Sequence, residues 1–327
     1  MSIAIGRRSL TGGALGLGLA PLARAQEVWR PDRPVRLVVA FSAGGEPDIL
    51  ARAMVPAMQE ALGQTVVIDN RPGATTIIAA EHVAGSRPDG YTLLLTSSTT
   101  FAVNPHLFAR LPYRLEGFRP ITQLMRAQLA LYCNPRLPVR SVAELIAYAR
   151  RQPHGITFTT TNRGAVAHLS GERMKQVTGL TMTDVPFRAS TAAAQAIIRG
   201  DVDVGFDGLA TYLGMVQSGD IRALAVTGER RVIAWPEVPT FAEAGFPDMA
   251  QAYWYGLFAP AGTPDVVAAR LLAATRAGLR SEALVNAMTA QGSTLEGIEP
   301  AAFEALLASE SERWGTLIRS IGLRLEG

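Results

Sequence analysis

The chain has few of the side chains that carry covalent or metal chemistry. Among its 327 residues there is one cysteine, Cys133, so no intramolecular disulfide can form and no thiolate cluster can hold a metal. The four histidines (His82, His106, His154 and His168) stand apart, with no pair at metal-ligand spacing and no H-E-x-x-H. There is no G-x-S-x-G elbow, no Walker A loop and no G-x-G-x-x-G. Lys175 is the only lysine; every other basic residue is an arginine. No internal repeat and no low-complexity tract interrupts the chain. These absences argue against a hydrolase or transferase, a nucleotide enzyme and a metalloenzyme. No cofactor is expected.

What is present begins at the first residues. Arg7 and Arg8 precede an uncharged, Gly-rich apolar stretch over residues 10–22, which ends in Ala23-Arg24-Ala25. This is the layout of a secretory signal peptide covering residues 1–25, with cleavage after Ala25. A membrane anchor or a buried first helix is the alternative, but the stretch falls short of the roughly 20 apolar residues a span requires. Arg7-Arg8 followed by Ser9-Leu10 also resembles a twin-arginine signal, which would carry the protein across already folded. The whole chain has 31 basic and 28 acidic side chains, and Arg7, Arg8 and Arg24 leave with the signal. The remainder is balanced, so neither nucleic acid nor an anionic membrane is implied as a partner. No cysteine follows the signal to take a lipid. A periplasmic monomer of two domains is expected.

The pattern after Gln26 is repetitive α/β. Residues 35–41 (VRLVVAF) are an unbroken apolar run bounded by Pro34 and a Gly-rich turn, which predicts a buried strand. A helix follows to Leu62, with Leu50, Met54, Met58 and Leu62 on one face and Gly63 as its stop. Strands over 65–69 and 92–96 flank a helix over 77–84. Residues 97–123 are irregular. A second unit alternates strands at 128–133, 156–160, 181–185, 202–206 and 221–226 with helices at 141–151, 165–177, 191–199 and 209–216. Ser141 and Glu144 form a capping box. A short helix is expected at Pro239-Thr240, an aromatic strand at 252–259, and three terminal helices at 264–279, 281–291 and 300–320. Such alternation predicts doubly wound sheets with flanking helices. The C-terminal helices are expected to pack back on the first lobe. Lobe 1 is then 26–125 plus 248–327 and lobe 2 is 126–247, with crossings near 123–128 and 245–252.

Ligands of doubly wound sheets bind beyond the carboxyl ends of the strands. The loops there are 41–48, 70–76 and 97–100 in the first lobe, and 161–164, 187–190 and 207–208 in the second. Several open into helices, whose free N–H groups favour anions. Hydroxyls are dense at Ser42, Thr96, Ser97, Ser98, Thr99, Thr161 and Ser190. Each alone reads as a cap or turn residue; their grouping after successive strands points to a ligand.

The same loops carry a resemblance. Pro34-Val35-Arg36, Phe41-Ser42-Ala43-Gly44-Gly45-Glu46-Pro47-Asp48, Asn70-Arg71-Pro72-Gly73-Ala74 and Pro88-Asp89-Gly90-Tyr91-Thr92-Leu93-Leu94 occur in order. They are followed by Asn104-Pro105, Leu111-Pro112-Tyr113 and His168-Leu169, then by Arg222 to Thr227, Pro236 to Thr240 and Trp254 to Pro264. In these segments the chain resembles the periplasmic solute receptors of tripartite tricarboxylate transporters, the Bug or TctC family, over its whole mature length. The resemblance implies a two-lobed type II periplasmic-binding fold that closes on a carboxylic acid, amino acid or related solute. It implies delivery to the permease subunits of that transporter, with no chemical change to the solute. By position it points to Phe41, Ser42, Ala43, Gly45, Glu46, Asp48, Ser97, Ser98, Thr161, Asn162, Arg163, Phe187, Ala189, Ser190 and Asp207 as ligand-binding residues.

The departures from the family pattern sit at this pocket. Thr75-Thr76-Ile77-Ile78 replaces a Gly-rich continuation, Phe187-Arg188-Ala189 stands for Tyr-Lys-Gly, Gly208 replaces an amide, and Glu46 is an added negative charge. Three roles are open to Arg163: a fork onto a ligand carboxylate, a latch to Glu46 or Asp207, or a place in solvent. Asp207 either holds a ligand amine or hydroxyl or caps the helix at Leu209. A sensor presenting its loaded state to a signalling receptor is equally compatible with the sequence. Intact-mass analysis of the exported protein is expected to find Gln26 as its first residue; a retained N-terminus would remove the signal-peptide reading.

Overall fold

The computed structural model describes Met1 and residues 29–325 other than Asn162, Arg188 and Gln291. The expected export signal, apart from Met1, lies outside the described residues. Two mixed sheets are separated by a pair of chain crossings.

The first sheet is built from β1 (Val35–Val39), β2 (Val66–Asn70) and β3 (Thr92–Ser97), paired in parallel around the central β1. Helix α1 (Glu46–Leu62) joins β1 to β2, and α2 (Ile77–Ala84) joins β2 to β3. The stop at Gly63 is as the sequence predicts: the residue is left-handed, with φ 70°, and its N–H reaches Gln59 O at 2.9 Å. A π-type turn over Thr99–Val103 and the short α3 (Asn104–Leu107) follow.

The stretch expected to be irregular then yields β4 (Phe118–Ala127), which crosses into β5 (Leu129–Cys133) of the second sheet. Arg119, Pro120, Thr122 and Gln123 break any apolar run, so the strand has no local signature. It forms because it pairs along its whole length with a distant strand, with register shifts at Leu124 and, beside Pro120, at Ile121.

The second sheet adds β6 (Ile156–Thr160), β7 (Met182–Pro186), β8 (Val204–Gly208) and β9 (Arg222–Val226), in the order β7-β6-β8-β5-β9. Strand β5 runs antiparallel to β8 and β9. Its helices are α4 (Val142–Ala149), α5 (Val166–Thr178), α6 (Ser190–Arg199) and α7 (Leu209–Gln217). The capping box of α4 is made: Ser141 Oγ accepts from Glu144 N at 3.1 Å, and the Glu144 carboxylate accepts from Arg140 N at 2.7 Å. No helix forms at Pro239-Thr240. Thr240 and Glu243 exchange cap hydrogen bonds, but the segment is only turns, tied by a bridge from Val226 to Thr240.

The chain returns through β10 (Tyr253–Pro260), antiparallel to both β3 and β4, so the first sheet is mixed rather than wholly parallel. Helices α8 (Asp265–Leu279) and α9 (Glu282–Ala290), the edge strand β11 (Thr294–Leu295) and α10 (Pro300–Ser320) complete it. The order is β11-β4-β10-β3-β1-β2. Helix α8 packs on α1 and the start of α10 on β10. The far end of α10 goes further: Trp314, Leu317 and Ile318 share a buried core with Phe158 of β6 and Leu169 of α5.

Gly256 sets the closeness of α10 to β10. A Cβ there would overlap the Phe303 ring, which is fully buried among Trp254 and Phe258. Gly256→Ala is therefore expected to destabilise the protein by about 1–3 kcal/mol through overpacking, read as a lowered melting temperature.

Candidate functional site

Strand direction gathers the functional loops. The carboxyl ends of β1, β2 and β3 lie at one end of the first sheet, together with the start of β10. In the second sheet the carboxyl ends of β6, β7 and β8 share one end. The two sets meet: a Cβ placed on Gly208 would stand 3.1 Å from Tyr253 Oη, and one on Gly292 would stand 2.9 Å from Leu209. The missing side chain at 208 thus leaves room for a tyrosine from the opposite lobe.

The loop after β1 is shaped by Asp48. This carboxylate is buried and accepts from Gly44 N at 2.8 Å, Arg52 Nε at 2.8 Å and Asn70 Nδ2 at 3.0 Å. Its capacity is spent on the loop, which makes it a positioning residue. Ser42 and Ala43 form the exposed tip, Gly44 is left-handed at φ 82°, and Gly45 caps α1. Phe41 lies edge-on to Tyr255, with ring centroids 5.5 Å apart.

Glu46, the first residue of α1, is turned into the interlobe gap. Its Oε2 accepts from Tyr253 Oη at 2.8 Å and from Tyr255 Oη at 3.2 Å, and its Oε1 from Ser293 Oγ at 3.4 Å. Burial pushes its carboxyl above the usual range; the three hydroxyls oppose that shift and Asp207 adds to it. Asp207 ends β8 on the other side. Burial raises its carboxyl too, against hydrogen bonds from Ser190, from the Gly208 N–H at 2.8 Å and from Tyr212. It does not cap α7 through a later N–H; Gly208 is the cap residue. Two carboxylates from different lobes thus face one gap.

Helices α1, α5, α6 and α7 all start at this end, on Gly45, Ala165, Ala189 and Gly208, and none has a side-chain cap. Their positive ends are directed at the gap. Ser97 ends β3, where it pairs with Tyr255, and Ser98 follows it. Ser98 Oγ and Thr160 Oγ1 are buried without a partner among the described residues. Thr161 is partly exposed, Phe187 donates its N–H to Thr160 O at 2.7 Å, and Ala189 and Ser190 open α6. Asn162 lies outside the described residues.

Arg163 is paired within its own lobe. Its guanidinium reaches Asp184 at 3.2 and 3.4 Å and its side chain is 58% exposed, so in this structure it neither latches to Glu46 nor to Asp207. His168 is buried against Phe158, and its Nδ1 accepts from Gly164 N at 3.2 Å, holding the 161–164 loop. In the loop after β2, Thr75 and Thr76 adopt positive φ, 53° and 74°, where the related pattern has glycine. For β-branched residues this is strained. It is held by Thr76 Oγ1 to Thr100 Oγ1 at 2.7 Å and by Asn104 Nδ2 to Thr75 O at 2.9 Å.

Tyr253, Tyr255 and Ser293 are site residues that the sequence reading missed. The two tyrosines alternate along the aromatic strand, so they share a face, and that spacing was a usable signal. Ser293 had none, because it arrives from a loop some 250 positions away in the chain. Ser293 also borders a cavity of about 960 Å³ at the crossings, lined by residues that include Gln123, Arg126, Gln128, Gly228 and Trp254.

Residues 50–323 match the family model described as the tripartite tricarboxylate transporter family receptor. Protein BugT of Bordetella pertussis is 34% identical over 298 residues, covering 90% of this chain and 91% of BugT. The structure of Rpa4515 from R. palustris with adipate superposes with a TM-score of 0.81 at 34% identity, covering 90% of this chain and 99% of that one. MatC from Rhodopseudomonas palustris with bound malate gives 0.77 at 30%, covering 88% and 99%.

The raised carboxyl of Glu46 has a consequence for stability. A group protonated more readily in the folded state penalises folding as pH rises through its unfolded value, here 4.5, and up to its folded value. Ligand-free Glu46→Gln is therefore expected to melt higher than the wild type at neutral pH. The two melting curves should converge below about pH 4.5, as a fluorimetric melt across pH would register.

Proposed function

The chain belongs to the tripartite tricarboxylate transporter family of receptors, and we propose that it captures a small organic solute, a carboxylate or amino acid, between its two lobes in the periplasm. It then hands the solute unchanged to a permease of that transporter class. The observation that carries this reading is the convergence of strand ends and four uncapped helix starts from both sheets on one gap. At the α5 and α6 starts, where the first turn has no acidic residue, N–H groups and hydroxyls suit the oxygens of a carboxylate without a buried counter-charge. Relatives with adipate and malate bound support the solute class. Export is supported by the layout of residues 1–25 and by the periplasmic binding proteins among the solved relatives.

A ligand touching both lobes shifts the protein towards the closed form only as far as it binds that form more tightly. The few contacts available can reach micromolar affinity, about −8 kcal/mol.

The test is a thermal-shift screen of the mature protein with organic acids, amino acids and neutral compounds. A bound solute at a hundred times its Kd should add about 2.7 kcal/mol of stability, and small-angle scattering should show a smaller radius of gyration. Shifts with neutral compounds alone would remove the carboxylate reading. Delivery predicts that deleting either the receptor or its permease stops uptake of the same solute.

A further inference from the structure

The gap between the lobes has an acidic end. Glu46 enters it from α1 and Asp207 from the end of β8, and neither forms an ion pair with a described residue. The nearby guanidiniums are engaged elsewhere, Arg52 with Asp48 and Arg163 with Asp184. The helix starts of α1 and α7, which would otherwise suit a ligand anion, are already faced by the protein's own carboxylates. The starts of α5 and α6 are different: they have no acidic residue in the first turn and no side-chain cap.

The walls differ in the same sense. Around Glu46 stand three aromatic rings, Phe41, Tyr255 and Tyr253, in edge contacts of 5.5 and 5.8 Å. Such rings favour a cation beside a carboxylate. The hydroxyls of Ser98 and Thr160, one at the strand ends of each lobe, are buried without a partner among the described residues. An unpartnered hydroxyl costs about 1–3 kcal/mol, which a polar ligand group recovers. Two desolvated carboxylates facing each other are costly without a counter-charge, and a ligand cation supplies one to both.

Resting on the receptor reading above, we propose that the solute is a zwitterion whose ammonium sits between Glu46 and Asp207 and whose carboxylate lies at the starts of α5 and α6. An ammonium bridging the two acids also draws the lobes together, because each acid belongs to a different sheet. Glu46 is then the residue that selects an amino acid over a dicarboxylate.

Two matched pairs of solutes test this by calorimetric titration of the ligand-stripped mature protein: aspartate against malate, and 6-aminohexanoate against adipate. The expected result is at least tenfold tighter binding of the amino member in the pair that fits. Glu46→Gln, with folding checked by its melt, should cost the amino member at least tenfold and spare the dicarboxylate. Asp207→Asn should do the same from the other lobe. Arg188 lies outside the described residues, so Arg188→Ala is included and should leave the preference intact. Equal or tighter binding of the dicarboxylate, a preference untouched by Glu46→Gln, or one that follows Arg188 would overturn the inference and leave the receptor reading standing. Absence of any bound acid or amino acid, in titrations and in native mass spectra, would overturn both.

Discussion

Removing a carboxylate from water is expensive unless donors or a counter-charge replace the water. Glu46 meets that demand only in part, with three hydroxyls from distant parts of the chain: Tyr253 and Tyr255 on the returning strand β10, and Ser293 beyond α9. This one constraint ties the first loop, the return crossing and the C-terminal region together at the mouth of the gap. Asp207, under the same burial, stands opposite on the other sheet. The geometry of the site is largely the geometry of how these two acids are accommodated.

The rest of the fold positions them. Parallel strands put β1, β3, β6 and β8 loops at facing ends, and the crossings at β4–β5 and before β10 place the two sheets mouth to mouth. Helix α10 spans both halves, with Phe303 against the first sheet and Trp314 in the core of the second. Helix α10 is therefore a packed link between the two halves, alongside the crossings.

Much of the element order was legible because buried parallel strands and amphipathic helices carry local signatures. Gly63 as a helix stop and Ser141-Glu144 as a capping box are set within a few residues, and both are found as read. What was not legible depended on partners far away in the chain. Strand β4 has a loop-like composition and exists through its ladder with β10. The segment after Pro239 has helix-start chemistry but forms turns, because Thr240 is drawn onto Val226.

The site divides along the same line. The residues of the six strand-end loops could be named from the sequence, since topology rules place ligands there whatever the side chains. Their roles could not. Asp48 is absorbed by its own loop and Arg163 by Asp184, while Glu46 and Asp207 are the acids left facing the gap. The sequence by itself determined the α/β class, which rests on periodicity, and the family, which rests on motifs occurring in order along the chain. Only the tertiary structure decided which charges are paired and which remain in the gap. The hydroxyls that hold Glu46 in the gap come from residues more than 200 positions away in the chain, and no local pattern encodes those distances.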